Sequence, residues 1–509
     1  MNSSRVEHHK NRLIIAMVAL IVRLIPAFLY YGSWDVGAFA TLLQHTLDNN
    51  LAGLSDLNYF PTIAIYLWFA GLIASITPLP LAFCIKLIPL LFDACIALLI
   101  YDIVRKRMFK SAFQVGLLYA LCPVPIMIIS IHGQWDSLFL FFLLLSFYIR
   151  EFVPDSVLKY ASFGVLFGYA ILLKPVALLF SPFFFSPRQK MRDYSYYQAV
   201  AATACVGVLL IALGVLHLLG INLMMLLDTI FHYYNHGVQI FGLPFAFPTS
   251  WEPVTMFLKN RFFLLPILAL LTMWYYQGKV HIYRLLGICV AVVLSFSGLC
   301  PQYLMWLVPF LLIKNMTVWA AIYSFVVSLF YLLFYANPFS NLDAPFQNSL
   351  SFASIKPCFA LGLPAWIFSY QWVPFLNVLG NIVIPGMCMM LLLGEYKKLR
   401  KVLRATHFYD FKATTEQVSN WYVWVNVAIF GIIGASMYWY RNLNLAALFD
   451  HAAAVKKTWY ITALYDQHVG AVYNGHWLIN VITINLFFIC AWFYYALRVG
   501  WRKNASVKK

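Results

Sequence analysis

Apolar stretches long enough to cross a lipid bilayer recur from one end of this chain to the other. Crossing about 30 Å of hydrocarbon takes roughly 20 helical residues, because a helix rises 1.5 Å per residue. The chain has 509 residues, of which 63% are hydrophobic and only 10% are charged. A soluble protein carries roughly 25% charged residues. The sequence therefore predicts an all-α polytopic membrane protein, with residues 1–509 forming a single integral domain.

Short basic runs indicate which side of the membrane each loop occupies. The net charge of +17 would suggest nucleic-acid binding only if position were ignored, because the basic residues lie beside apolar stretches, as in cytoplasmic loops. Placing these runs inside predicts about fourteen spans, with both termini inside. The spans lie near 13–31, 86–103, 111–129, 136–150, 157–173, 175–186, 197–219, 261–277, 282–299, 302–313, 316–336, 371–394, 420–440 and 476–498.

One apolar segment is expected to stay outside the membrane. Residues 60–76, "FPTIAIYLWFAGLIASI", are nearly long enough to span. If they did span, the next helix would carry the basic run at 104–110 to the outside, against the positive-inside rule. We therefore predict that they form a juxtamembrane helix within a first external loop at 32–85.

The sequence offers no motif for a metal or a nucleotide cofactor. Its nine cysteines are scattered, mostly within apolar runs, and none forms a CxxC pair, so neither a zinc site nor a disulfide framework is expected. No Walker loop, GxGxxG, HExxH or serine-nucleophile motif stands in a meaningful context. Any chemistry is expected to use external carboxylates and a membrane-borne substrate.

The first external loop supplies two candidate carboxylates. Asp35 directly follows the first span, and residues 35–49 have the period of an amphipathic helix. Asp35 either caps this helix, by accepting from its free amide groups, or is an acid kept ionised by the positive end of the helix dipole. Asp56, which precedes "NYFPT", is a candidate substrate-binding carboxylate.

A polar cluster separates two apolar runs at "SIHGQWDSLFLFF", residues 130–142. Trp135 fits the aromatic belt of a membrane interface, and Asp136 fits a cap on the span that follows. These structural roles leave His132 and Gln134 unexplained. The cluster is therefore expected to face the exterior, with His132, Gln134 and Asp136 as substrate-binding residues.

Charged residues also occur deep in apolar sequence. A lysine at the membrane centre costs roughly 2.5–3.5 kcal/mol, so Lys174 in "GYAILLKPVALLF" either snorkels to the outer interface or holds an anion such as phosphate. Arg23 and Asp93 raise the same question, which pairing between their helices would answer.

A later span begins with a second group of polar residues. The segment "CPQYLMWLVPF", 300–310, places Gln302 and Tyr303 at an external helix start. Pro301 is explained by the preference for proline at the start of a helix, but this preference does not explain Gln302. We expect Gln302 and Tyr303 to bind substrate.

Together these motifs resemble the GT-C glycosyltransferases, membrane enzymes that use polyprenyl-phosphate-linked sugars. The nearest likeness is to mannosyltransferase-like members related to the GPI-anchor mannosyltransferases and their prokaryotic counterparts. The likeness covers residues 1–310, and "NYFPT" departs from the double proline of many members. The segments that carry it are "GSWDVGAF", "NYFPTIAIYLWFAGLI", "KLIPLLFDACIALLIYDIVRK", "ALCPVPIMIISIHGQWDSL", "FGVLFGYAILLKPVALLFSPF" and "CPQYLMWLVPFLL".

The resemblance implies a GT-C-like transmembrane helix bundle at 1–310, followed by further transmembrane helices at 311–509. It implies that Asp35 is the catalytic carboxylate and that Lys174 lies near the donor. The implied reaction is inverting transfer of a hexose, mannose being favoured, from a polyprenyl-phosphate donor to a lipid, glycan or protein acceptor. No cofactor and no nucleic acid would take part.

Two questions remain open at this stage. A multi-pass transporter or flippase for lipid-linked saccharides shares the hydropathy, although no internal repeat of the kind common in transporters is visible. The membrane is the second question. The sequons at Asn2, Asn315 and Asn504 all fall inside in this topology, which favours a bacterial inner membrane over the endoplasmic reticulum.

Overall fold

The structure is a computed structural model, and all regular structure in the residues it describes is helical. The described residues are 2–29, 34–47, 62–107, 111–184, 194–224, 226, 281–296, 301–336, 379 and 383–405. Asp56 and the predicted spans at 261–277, 420–440 and 476–498 lie outside them.

The helices follow the apolar periodicity of the sequence. The first group comprises α1 Asn2–Leu29, α2 Trp34–Leu47, α3 Ile63–Ile76, α4 Leu81–Lys106, α5 Ala112–Ala120, α6 Pro123–Pro125, a π-helix at Ile126–His132, α7 Asp136–Phe152 and α8 Val157–Leu173. The second group comprises a 3₁₀ helix at Pro175–Phe180, α9 Ser181–Phe184, α10 Tyr194–Leu218, α11 Ile282–Phe296, a 3₁₀ helix at Pro301–Trp306, α12 Leu307–Ile313, α13 Thr317–Ala336 and α14 Ile384–Ala405.

Four stretches in the described part are long and apolar enough to cross a membrane, as is typical of a membrane protein. They lie at Arg5–Phe28, Leu81–Lys106, Ala112–His132 and Tyr196–Leu218. The count of about fourteen spans remains a prediction. The segments predicted at 175–186 and 302–313 form 3₁₀ turns joined to short α-helices, and the described residues of each are shorter than the hydrocarbon core.

The segment predicted to lie along the membrane surface is a separate helix. α3 has 14 residues and packs on α2 and α4. At 1.5 Å per residue it is roughly 20 Å long, less than the hydrocarbon thickness. Its helical form is confirmed, and its position outside the membrane remains a prediction.

The predicted span at 111–129 is interrupted. α5 ends at Ala120, and helical structure resumes at Pro123. Proline lacks the amide proton that would continue the helical ladder, and helix ends leave carbonyls without an intrahelical donor. Arg23 of α1 supplies one such donor, because its Nη1 lies 2.6 Å from the carbonyl oxygen of Ala120.

Arg23 and Asp93 are paired, as their placement in apolar sequence suggested. Arg23 Nε donates to Asp93 Oδ2 at 2.6 Å, and the Tyr119 hydroxyl donates to Asp93 Oδ1 at 2.6 Å. All three side chains have no exposed surface. The contact joins α1, α4 and α5 in the interior, where an uncompensated charge would be very unfavourable.

Two glycines bring α8 close to α10. A Cβ at Gly164 would lie 2.1 Å from the carbonyl oxygen of Ala201, and a Cβ at Gly168 would lie 2.9 Å from that of Cys205. The small-residue spacing therefore lets the two backbones approach, as at other membrane helix interfaces. This contact positions the C-terminal end of α8, where Lys174 follows.

We expect Asp93→Asn to destabilise the protein strongly, because it leaves the Arg23 guanidinium buried without its counter-ion. Breaking a buried ion pair from one side typically costs roughly 3–5 kcal/mol. The check is the thermal unfolding midpoint of purified protein in detergent.

The matched control for that variant is Arg12→Gln, since the Arg12–Asp102 pair also joins α1 to α4, at 2.7 Å. The Arg12 side chain is 42% exposed, and Asp102 keeps the nearby charges of Arg105 and Lys106, so the loss should be much smaller. Equal shifts for the two variants would contradict the buried role of Asp93.

The position of α3 predicts that residue 78, in the turn after this helix, faces the exterior. Pro78→Cys, in a background without the native cysteines, should react with a membrane-impermeant maleimide added to intact cells. Pro78 is exposed, so the new thiol is accessible. Labelling only after the cytoplasmic side is opened would refute the fourteen-span topology.

Candidate functional site

A π-helix ends at the polar cluster. The last turn before the cluster, Ile126–His132, is wider than an α-helix. The amides of Gly133 and Gln134 both donate to the Ile128 carbonyl at 3.1 Å. π-Helices are rare, occur mostly as single turns and are frequent at functional sites. Here the turn ends one span and leads directly into the polar residues before α7.

Gly133 is required by both backbone and space. Its φ of +87° lies in the left-handed region that favours glycine. A Cβ would stand 2.3 Å from Val36 Cγ2 and 3.3 Å from Lys86 Cγ and Cδ. The tight turn therefore lets α2 and α4 approach the backbone between His132 and Gln134.

Asp35 receives the two polar side chains that flank this glycine. Its Oδ2 lies 2.6 Å from His132 Nε2, and Gln134 Nε2 donates to the same oxygen at 2.5 Å. Asp35 lies in the first turn of α2, while its partners are buried. The Asp35 side chain is 31% exposed, so an oriented carboxylate remains accessible from outside the bundle.

Asp136 makes a different set of contacts. It is the first residue of α7, where the helix dipole favours a carboxylate. Lys174 Nζ and Trp306 Nε1 donate to its Oδ1 at 2.6 and 2.7 Å. The ammonium also lies 4.6 Å from the Tyr303 ring and 5.0 Å from the Trp306 ring, close enough for cation–π attraction.

Trp135 lies between Gln134, which contacts Asp35, and Asp136. It is 4% exposed, and its ring lies 5.6 Å from Phe39 of α2 and 6.0 Å from Tyr66 of α3. The next residue but one, Ser137, donates to the Pro89 carbonyl at 2.7 Å and fastens α7 to α4. The cluster is therefore held by packing on both sides rather than exposed at a membrane interface.

The structure brings together most of the residues that the sequence singled out. His132 and Gln134 lie against Asp35, and Asp136 pairs with Lys174. Lys174 therefore has a counter-ion inside the protein, an alternative to snorkelling that the sequence had not indicated. The catalytic and substrate-binding roles of these residues remain predictions.

The two residues predicted in the 300–310 segment differ. Tyr303 stacks near Trp306, at 4.5 Å between ring centroids, and faces the Lys174 ammonium. The Gln302 side chain is half-buried and makes no hydrogen bond within the described part of the chain. The 3₁₀ helix at Pro301–Trp306 brings Tyr303 and Trp306 to the Lys174 ammonium, and the role of Gln302 stays a prediction.

Two site residues were missed from sequence. Trp306 looked like one more aromatic in an apolar span. Lys86 has no exposed surface, and its Nζ donates to the Ser130 carbonyl at 3.1 Å. A lysine early in a long apolar helix is itself unusual, and that signal could have singled out Lys86. Its aliphatic stem supports the Gly133 turn from behind.

No protein family, curated protein or solved structure matches the chain.

The geometry defines two carboxylates with distinct chemistry. Asp35 is partly exposed, and the side chains of His132 and Gln134 orient its carboxylate. It is therefore placed to receive a proton from a bound hydroxyl. Asp136 is buried, and Lys174 and Trp306 both donate to its Oδ1, so its carboxylate is held in one orientation. Such inequivalence between neighbouring acids is a common basis for assigning roles at a site.

We expect Gly133→Ala to destabilise the protein and distort the Asp35 cluster. The alanine would adopt an unfavourable φ and contact Val36, and backbone strain of this kind typically costs about 1–3 kcal/mol. The thermal unfolding midpoint in detergent measures the effect.

Gly207→Ala in α10 is the matched control. A Cβ there meets nothing within 4 Å, so this variant should be neutral or slightly more stable. A Gly133→Ala protein as stable as the Gly207→Ala protein would show that the left-handed turn is not required.

Proposed function

We propose that this protein is an inverting glycosyltransferase of the GT-C type. It transfers a hexose, with mannose favoured, from a polyprenyl-phosphate donor to a lipid, glycan or protein acceptor at the external or lumenal membrane face. The observation that carries the proposal is the accessible carboxylate of Asp35, oriented by His132 and Gln134 at the end of a π-helix.

The proposed reaction needs one base. The Asp35 carboxylate takes the proton of the acceptor hydroxyl as its oxygen attacks the anomeric carbon. The new carbon–oxygen bond forms as the bond to the phosphate oxygen breaks, and its electron pair leaves with the polyprenyl phosphate. Attack from the face opposite the leaving group inverts the anomeric configuration. Positioning of the two reactants supplies a further part of the rate.

The leaving phosphate needs positive charge where its own negative charge develops. Lys174 is the proposed cation. Its ammonium lies 2.6 Å from Asp136 Oδ1, at the side of the cluster that is proposed to receive the donor. The rings of Tyr303 and Trp306 confine the ammonium on their faces. His132, next to Asp35, is a second group that can donate to the phosphate.

The membrane context suits a lipid-linked donor. Two of the helical stretches of span length, Leu81–Lys106 and Ala112–His132, contribute Lys86 and His132 to the cluster, so a polyprenyl chain could remain in the hydrocarbon while its phosphate reaches the site. The proposed location is a bacterial inner membrane, or the endoplasmic reticulum membrane in a eukaryote. A donor carried by lipid also requires no nucleotide-binding loop.

We expect Asp35→Asn to lower turnover roughly 10²–10⁴-fold, the usual contribution of general-base catalysis. Donor binding should change little, because the amide keeps the size of the carboxylate. The measurement is release of polyprenyl phosphate from a synthetic lipid-phosphate mannose by purified protein, beside the affinity for that donor.

Asp136→Asn is the companion variant and should act differently. Loss of its charge leaves Lys174 without its counter-ion, so donor affinity and thermal stability should both change. A fully active Asp35→Asn protein with an inactive Asp136→Asn protein would reverse the two roles. Accumulation of the lipid-linked sugar in proteoliposomes without phosphate release would favour a transporter or flippase.

We expect Lys174→Met to weaken donor binding, because it removes the proposed phosphate contact. Lys174→Arg should restore binding only in part, since the guanidinium keeps the charge but has a different geometry. Thermal unfolding of both variants separates donor binding from the loss of the Asp136 ion pair. Parent-like donor affinity in a folded Lys174→Met protein would confine this lysine to a structural role.

A further inference from the structure

A small cavity lies beside the Lys174–Asp136 ion pair. It measures about 10 Å³ and is lined by Ile63, Trp135, Asp136, Leu138, Phe139, Leu173 and Lys174. A space of this size is just large enough for one water molecule or one hydroxyl group. Most of the lining is apolar, so the polar atoms that reach it determine what it can hold.

Two residues that line the cavity each have a buried polar atom without a hydrogen-bond partner among the described residues. These atoms are Trp135 Nε1 and Asp136 Oδ2. Trp135 is 4% and Asp136 2% exposed. The other carboxylate oxygen of Asp136, Oδ1, accepts hydrogen bonds from both Lys174 Nζ and Trp306 Nε1. A buried polar atom left unsatisfied is destabilising, most of all when it belongs to a charged group.

The chemistry of these two atoms restricts the occupant. An indole N–H only donates, and an ionised carboxylate oxygen only accepts. One group that satisfies both must therefore accept one hydrogen bond and donate another. A hydroxyl or a water molecule does so. A phosphate or a carbonyl oxygen lacks the proton for Asp136, and an ammonium lacks the lone pair for Trp135.

We infer that Trp135 Nε1 and Asp136 Oδ2 together bind one hydroxyl group of the transferred sugar. This inference rests on the proposed function and deepens it, by assigning a hydroxyl-recognition subsite to the cavity. The hydroxyl oxygen accepts from the indole N–H and its proton is donated to Oδ2. Water fills the same position when no saccharide is bound.

The proposed subsite gives the side chains of residues 132–136 two different roles. His132 and Gln134 orient the carboxylate that faces the acceptor, while Trp135 and Asp136 recognise the sugar. Because one rigid turn carries both sets of side chains, a sugar anchored in the cavity is held at a set position relative to Asp35. Discrimination against a sugar without that hydroxyl follows, because the two buried atoms would then stay unpaired.

The test measures binding rather than turnover. Farnesyl-phosphoryl mannose and its single-deoxy analogues are offered to the full-length protein in detergent. The parent protein should bind one analogue about tenfold more weakly than the complete sugar, the expected loss for a hydrogen-bonded pair left unsatisfied. Trp135→Phe should weaken binding of the complete sugar by a similar factor, yet bind that one analogue as well as the parent protein does.

Trp68→Phe is the matched control. Trp68 lies on α3 and is 46% exposed, so its replacement should leave the whole binding series unchanged. The series on the parent protein alone also tests the inference if Trp135→Phe fails to fold. Equal binding of all analogues would overturn the subsite, and would mean that the cavity holds water only.

Failure of the proposed function is distinguishable from failure of the subsite. If neither farnesyl-phosphoryl mannose nor any of its analogues binds, the proposed mannose donor and the subsite are both wrong. If the complete sugar binds and every analogue binds equally well, only the subsite falls. If Trp135→Phe weakens all analogues by one factor, Trp135 supports folding of the site without contacting a hydroxyl, which also overturns the inference.

Discussion

The buried ion pair between Arg23 and Asp93 is the contact on which the arrangement of the first helices depends. Arg23 holds α1 against α4, and it also donates to the carbonyl of Ala120 where α5 ends. The interruption at Pro123 is tolerated because this donor replaces part of the lost helical ladder. The chain can then leave α5, form the π-helix and present the polar cluster beside the start of α2.

The cluster exploits the conformational freedom of one glycine. Gly133 reverses the backbone between His132 and Gln134, so that both side chains reach one carboxylate oxygen on α2. Asp136 then starts α7 and contacts Lys174 after α8 and Trp306 in the 3₁₀ helix. Residues 132–136 thus contact α2, the end of α8 and the 3₁₀ helix at Pro301–Trp306, and they lead into α7. As a result, Asp35 and Asp136 have different surroundings. That difference is the physical basis of the roles we propose for them.

Charge balance limits what such a site can do. A buried ammonium is unfavourable without a counter-ion, and Asp136 provides one for Lys174 at 2.6 Å. The same contact and the Trp306 indole orient Oδ1 of Asp136. Its second oxygen and the Trp135 indole N–H have no hydrogen-bond partner among the described residues, and both residues line one small cavity. Asp35 lies in a more open setting, with 31% of its side chain exposed.

By itself the sequence determined that the chain is helical and rich in apolar stretches of span length, and where polar residues interrupt the apolar runs. Composition and length are enough for that, because a bilayer admits few arrangements of the backbone. It also indicated that Asp35, His132, Gln134, Asp136 and Lys174 needed an explanation beyond packing. Which residue contacts which was decided only by the tertiary structure. Asp136 and Trp306 are 170 residues apart, and a local pattern carries no information on contacts between such distant segments. The same holds for Lys86 and for the π-helix, since both depend on how closely α2 and α4 approach the Gly133 turn.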